Sequence, residues 1–235
     1  MITSVLIPTR GRVDLLNKVI FNLYETSSDS DQWEICIKVD DDDGDTIQYL
    51  EDHHTENDWI RWIITPKGKG YPDMHHWIND LCKMSKGKIF FLYNDDCIME
   101  TQDWDLEFEK VQNKLAVFKT QTNDKYRDSN LFPAIPKKMF DLWGHFSLNA
   151  HNDTWVENIS REGGFETVLD IEITHDRADL TGNNNDLIFQ QRTVAYRTTQ
   201  ADFYSPEMAN LRKIDKDIIV NYIKENGDEL NNTGK

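Results

Sequence analysis

Over the first hundred residues, short β-branched apolar runs alternate with stretches of helical spacing. Residues 2–7, Ile-Thr-Ser-Val-Leu-Ile, read as a strand stopped by Pro8, and apolar positions then recur at helical spacing over 13–24. A second strand at 34–39 runs into the acidic stretch Asp40-Asp41-Asp42-Asp43-Gly44-Asp45. A helix over 46–55 and a strand over 60–65 follow, closed by Pro66 and the turn Lys67-Gly68-Lys69-Gly70. A helix over 73–85 ends before Gly87, and the dense apolar strand at 88–93 runs into Asn94-Asp95-Asp96.

The second half is less regular. It predicts a strand at 115–120, a polar stretch at 121–130, helices at 136–143 and 153–162, and a strand near 167–174. An amphipathic helix is expected over 214–224, with a polar end from Asn226-Gly227. Alternating strands and helices define an α/β class with a mostly parallel sheet flanked by helices, whose ligands bind beyond the carboxyl ends of the strands. With no repeat and no linker, the expectation is a single domain over 1–225, with halves at 1–100 and 101–225 and a polar tail at 226–235.

Composition narrows the partners. A net charge of −16 works against a surface built to grip polyphosphate, although local basic stretches remain at Lys67 to Lys69, Lys83 to Lys88 and Lys137-Lys138. Three cysteines, Cys36, Cys82 and Cys97, match neither zinc-knuckle nor redox spacing and read as buried thiols. Neither a secretory leader nor a membrane-spanning apolar run is apparent, so the expected location is cytoplasmic, or host cytoplasm if the protein is viral.

Candidate chemistry clusters at the predicted strand ends. Asp95 and Asp96 are hard oxygen donors of the kind that hold Mg²⁺ or Mn²⁺ against a diphosphate, though adjacent acids after a strand equally form turns and caps. The second acidic cluster at Asp40 to Asp43 and the loop Pro8-Thr9-Arg10-Gly11-Arg12 add two further strand ends. His53-His54 and His75-His76 point to different helix faces and make poor bidentate sites. Trp104 reads as core ahead of a wall of an acceptor pocket, and Gly182-Asn183-Asn184-Asn185 reads as a loop near Arg192, Tyr196 and Arg197, which fit closure over a diphosphate and a plain structural role equally.

These residues resemble family 2 glycosyltransferases and their relatives of GT-A fold. Ser4 to Arg12 looks like the family's first strand and donor loop, and Val39-Asp40-Asp41 like its second strand with nucleoside-binding acids. Asn79, Gly87 and Asn94 match the family's Asn, its Gly after the helix, and its metal motif fifteen residues beyond the Asn. Where many members carry Asp, any residue, Asp, this chain has Asn94-Asp95-Asp96. Asn152-Asp153, a helix, Gly163-Gly164 and a strand ending at His175 resemble the family's acceptor-side acid and late metal-binding His.

The resemblance covers about residues 2–176. It implies a GT-A fold and a metal-dependent, inverting transfer of a hexose or pentose from a nucleotide-diphosphate sugar of UDP or GDP type. The acceptor would be a saccharide or small molecule, with a modified base in DNA as an alternative and a non-catalytic sugar-binding domain as another. It assigns Asp153 as catalytic base and Asp96 and His175 as ligands of Mn²⁺ or Mg²⁺. Pro8, Thr9, Arg10, Arg12, Asp40, Asp41, Asn79, Asn94 and Asp95 would bind the donor.

Overall fold

The computed structural model describes residues 1–123, 128–176 and 187–232. The elements are β1 (Thr3–Pro8), α1 (Val13–Glu25), β2 (Trp33–Asp40), α2 (Gly44–His54), β3 (Ile60–Thr65), α3 (Met74–Met84), β4 (Ile89–Leu92) and β5 (Cys97–Met99). Next come α4 (Trp104–Val111), β6 (Val117–Thr122), β7 (Ala134–Pro136), α5 (Lys137–Trp143), α6 (Asn152–Gly163), β8 (Glu166–His175), α7 (Leu187–Phe203) and α8 (Pro206–Asn232).

The strands form one sheet in the order β3-β2-β1-β4-β7-β6-β8-β5. β1 pairs in parallel with β2 and β4, and β2 with β3. β7 runs antiparallel to both β4 and β6, so two reversals restore the direction, and β8 lies parallel to β6. The carboxyl ends of β1, β2, β4 and β8 therefore share one edge. This is why His175, at the end of β8, can meet residues that follow β1 and β4.

Strand alternation sorts side chains between two apolar layers. Val5, Ile7, Ile35, Ile37 and Val39 face one layer with Leu16, Val19, Ile20 and Leu23 of α1 and the buried Trp104. Leu6, Cys36, Phe90 and Leu92 face the other, against Ile78 and Leu81 of α3 and Trp155, Val156 and Ile159 of α6. Each fully buried side chain of this size contributes about 1.5–3 kcal/mol from removal of apolar area. All three cysteines are buried free thiols.

Two details fix the helices. Gly87 passes so close to β1 that an added Cβ would lie 2.6 Å from Ser4 Oγ and 2.7 Å from the Ser4 amide nitrogen, which only glycine tolerates. Where α8 packs on α5 and α6, buried Asp215 of α8 accepts the indole N–H of Trp155 at 3.0 Å, and its carbonyl accepts that of Trp143 at 2.8 Å.

The structure departs from the sequence expectation in several places. Pro8 is the last residue of β1 rather than its stop, because the chain resumes pairing at once through the Thr9 amide and the Lys38 carbonyl at 3.0 Å. The helix expected over 214–224 belongs to α8, which continues through Gly227 to Asn232, so no break falls at 226. β5, α4, β7 and α7 were not anticipated. The loop at 182–185 lies outside the described residues. Among the described residues no helix is long and apolar enough to cross a membrane.

Candidate active site

The strand-end edge opens into a cleft of about 230 Å³. Its floor is the loop after β1, where positive φ at Gly11 lets the chain turn sharply and its amide donates to Asp43 at 2.6 Å. Pro8, Thr9, Arg10 and Arg12 all line the cleft. Thr9 Oγ1 donates to Asp95 at 2.7 Å, and Arg12 donates to the other oxygen of Asp95 at 2.7 Å while standing 3.6 Å from Asp96.

β2 delivers a pair that the sequence reading missed. Its even positions Cys36, Lys38 and Asp40 turn away from the α1 layer, and Lys38 and Asp40 are each only 1% exposed. The Lys38 ammonium pairs with one oxygen of Asp40 and lies 3.7 Å from the centre of the Trp77 ring. Arg10 takes the other Asp40 oxygen at 2.8 Å and also grips Asp42, whose carboxyl it holds down to a pKa of about 2. Burial pushes the Lys38 pKa down even though Asp40 pulls it up. The signal available in the sequence was two opposite charges, Lys38 and Asp40, at period-2 positions of a strand whose even-numbered face also carries Glu34.

After β4, Asn94, Asp95 and Asp96 all line the cleft. Burial pushes the Asp95 carboxyl up, with Arg12 opposing. Burial also acts on Asp96, but the hydrogen bond and charge of His175 and the charge of Arg12 outweigh it and hold that carboxyl below its ordinary value. His175 arrives by register: β8 runs antiparallel to β5 with His175 opposite Cys97, and Asp176 N–H donates to the Asp96 carbonyl at 2.8 Å. The His175 Nε2 then lies 3.3 Å from Asp96 Oδ1. Two residues 79 positions apart in the chain thus stand side by side at the strand-end edge.

The donor set fits a divalent cation. Asp96 offers a carboxylate and His175 an imidazole nitrogen, the combination that Mn²⁺ accepts readily and Mg²⁺ less so. Among the described residues, Asp96, Cys97 and His175 form the one group of three potential ligands, and neither histidine pair belongs to it.

The far wall comes from the second half of the chain. Asp153 lies in the first turn of α6 and lines the cleft, with Oδ1 held by the Thr154 amide at 2.8 Å and the Thr154 hydroxyl at 3.3 Å. A carboxylate there faces the favourable, positive end of the helix. The N-cap of this helix is His151, two residues before Asp153. Arg192 of α7 reaches the same cleft, its guanidinium 5.6 Å from the Tyr71 ring and 5.0 Å from that of Tyr196. Burial and the nearby Asp153 charge push the Tyr71 hydroxyl pKa up. Arg197 is exposed and outside the lining.

Two expected donor contacts have other work. Asn79 does not line the cleft; its side chain accepts the Phe146 amide at 2.6 Å and donates to the Ser147 carbonyl at 2.9 Å, fastening the loop before α6. Asp41 is exposed at the rim, where it accepts the Lys67 amide at 3.2 Å. Lys67 itself lines the cleft and pairs with Asp42 at 3.3 Å, whereas Lys83 and Lys137 form surface pairs along their own helices.

An α/β sheet with this strand order and acidic edge defines the GT-A fold, and solved structures agree. Mannosyltransferase PcManGT from Pyrobaculum calidifontis, in complex with GDP-Man and Mn²⁺, aligns at 13% identity and TM-score 0.61 over 74% of this chain and 56% of its own. S. aureus TarS 1–349 in complex with UDP aligns at 10% identity and TM-score 0.57 over 74% and 60%. GalNAc-T7 with UDP, GalNAc and Mn²⁺ aligns at 9% identity and TM-score 0.59 over 74% and 44%. The chain thus spans roughly half of the length of these structures. No curated protein sequence matches it. The family model for glycosyl transferase family 2 matches residues 4–166, and the chain belongs to that family.

Proposed function

We propose that this protein transfers a sugar from a nucleoside diphosphate donor to an acceptor hydroxyl with inversion at the anomeric carbon. The observation that carries the reading is the convergence of the β1, β2, β4 and β8 ends with Asp153 across one cleft. The structural relatives hold GDP-Man, UDP and Mn²⁺, which supports a donor of GDP or UDP type and a divalent cation.

Asp96 and His175 would hold the cation, which when bound supplies charge neutralisation for the departing diphosphate. Pro8, Thr9, Arg10 and Asp40 contact the nucleoside, with Asn94 and Asp95 beside the diphosphate. Arg12 keeps Asp95 and Asp96 oriented, and Arg192 closes on the opposite side. Asp153 accepts the acceptor hydroxyl's proton as that oxygen attacks from the face opposite the leaving group.

Asp153→Asn preserves the Thr154 contacts in shape and removes the proton acceptor, so turnover falls on the order of 10²–10⁴-fold with donor binding retained. Turnover within threefold of wild type, or a product that keeps the donor's anomeric configuration, would sink the assignment.

A further inference from the structure

Beside Asp96 and His175 stands a third donor that the proposed function does not use. Cys97 is the first residue of β5, and its position opposite His175 in the ladder brings its sulfur to the same point. Cys97 Sγ lies 4.0 Å from Asp96 Oδ1, His175 Nε2 lies 3.3 Å from that oxygen, and all three ligand atoms fall within 4.8 Å of one another. Asp96 and His175 line the cleft and Cys97 does not, so the thiol approaches from the core side, where Tyr93 and Phe132 exclude water.

Hard cations gain little from sulfur, whereas borderline and soft ions of the zinc class take thiolate, imidazole and carboxylate together. In a tetrahedral site with bonds of about 2.0–2.3 Å, neighbouring donors sit roughly 3.3–3.8 Å apart, within about an ångström of the separations here. Three protein ligands leave the fourth position facing the cleft.

We propose that Asp96, Cys97 and His175 form a three-ligand site selective for thiophilic divalent ions, with Cys97 as the ligand that sets the selectivity. This rests on the metal-site reading above and adds the thiolate. On binding, the metal–sulfur bond replaces the S–H bond and the proton leaves to solvent; no electron is transferred. A zinc-class ion seated this way competes with Mn²⁺ for Asp96 and His175.

Cobalt(II) is the probe, because its visible ligand-field bands report coordination and its near-ultraviolet sulfur-to-metal charge-transfer band reports thiolate. The expected result is both bands in the full-length chain. The charge-transfer band is lost in Cys97→Ser and retained in the Cys36→Ser/Cys82→Ser double variant, which keeps the test decisive if Cys97→Ser fails to fold. Zn²⁺ displaces the cobalt, and Cys97→Ser weakens Zn²⁺ affinity on the order of tenfold or more while changing that for Mn²⁺ less than threefold. Ligand-field bands without charge transfer would overturn the thiolate and leave the Asp96–His175 site standing. Absence of any cobalt binding would overturn both.

Discussion

The buried pair on β2 makes a quantitative demand on stability. Lys38 has Asp40 as its carboxylate partner, whereas Asp40 also holds Arg10 at 2.8 Å. Asp40→Ala therefore strands an ammonium that is 1% exposed, and breaking a buried pair from one side costs about 3–5 kcal/mol. Proton release limits the loss: taking an amine of ordinary pKa 10.5 to neutrality at pH 7 costs about 1.4 kcal/mol per unit, or about 5 kcal/mol. Lys38→Met removes one charged hydrogen bond but leaves Asp40 on Arg10, for about 1.5–3 kcal/mol. The double variant removes both charges, so the coupling should reach about 2 kcal/mol. Urea unfolding of the wild type, both single variants and the double variant measures each value. Single-variant costs that add within about 0.5 kcal/mol, or Lys38→Met costing more than Asp40→Ala, would refute the reasoning.

Two further outcomes follow from local geometry. Gly87→Ala pushes a methyl into the backbone of Ser4 and should cost about 1–3 kcal/mol by urea unfolding, with a value below about 0.5 kcal/mol contradicting the close approach. His54 accepts from the Asn57 amide at 3.1 Å and lies 3.0 Å from the Tyr49 hydroxyl, which donates to Asn17 at 2.7 Å, so the linked groups require a neutral ring. Burial, and then the neighbouring His53, lower its pKa below the free value of 6.5, so the unfolded chain binds the proton more readily. Its contribution to stability is full above about pH 6.5 and is lost as the pH falls through the lower folded value. His54→Gln should flatten that part of the stability profile, and an unchanged slope would remove His54 as its cause.

Much of the fold was legible where apolar runs were long enough to carry a period. β1 to β4 and α1 to α3 announce themselves through alternation, glycine and proline punctuation, and acidic strand ends. β5 and β7 have three residues each, too few for any pattern, and exist because β8 and β4 supply their partners. Gly227 looked like a terminus but lies inside α8, where a glycine costs only about 1 kcal/mol against Ala.

The site was partly legible. His175 was placed through a family resemblance, since a single histidine at a strand end carries no metal signal of its own. The structure supplies the reason for its position, a β5–β8 register that no local spacing encodes. Asn79 was read as a donor contact because its spacing matched, yet its amide satisfies the backbone of 146–147. Lys38 is harder to read, because a lysine in a strand ordinarily faces water, and although Asp40 stands two positions on in the same strand, nothing local shows that Trp77 covers the ammonium.

In the proposed donor site, Asp96 and His175 would hold a divalent cation that supplies charge neutralisation to the diphosphate. Thermal unfolding with UDP and GDP and their sugars, each with and without Mn²⁺, reads out that site. A ligand at a hundred times its Kd stabilises the folded state by about 2.7 kcal/mol, which is readily resolved. The expected result is an upward shift that needs both Mn²⁺ and one nucleotide family and disappears in Asp96→Ala. A shift of equal size without metal or in Asp96→Ala, or no shift with any combination, would contradict it.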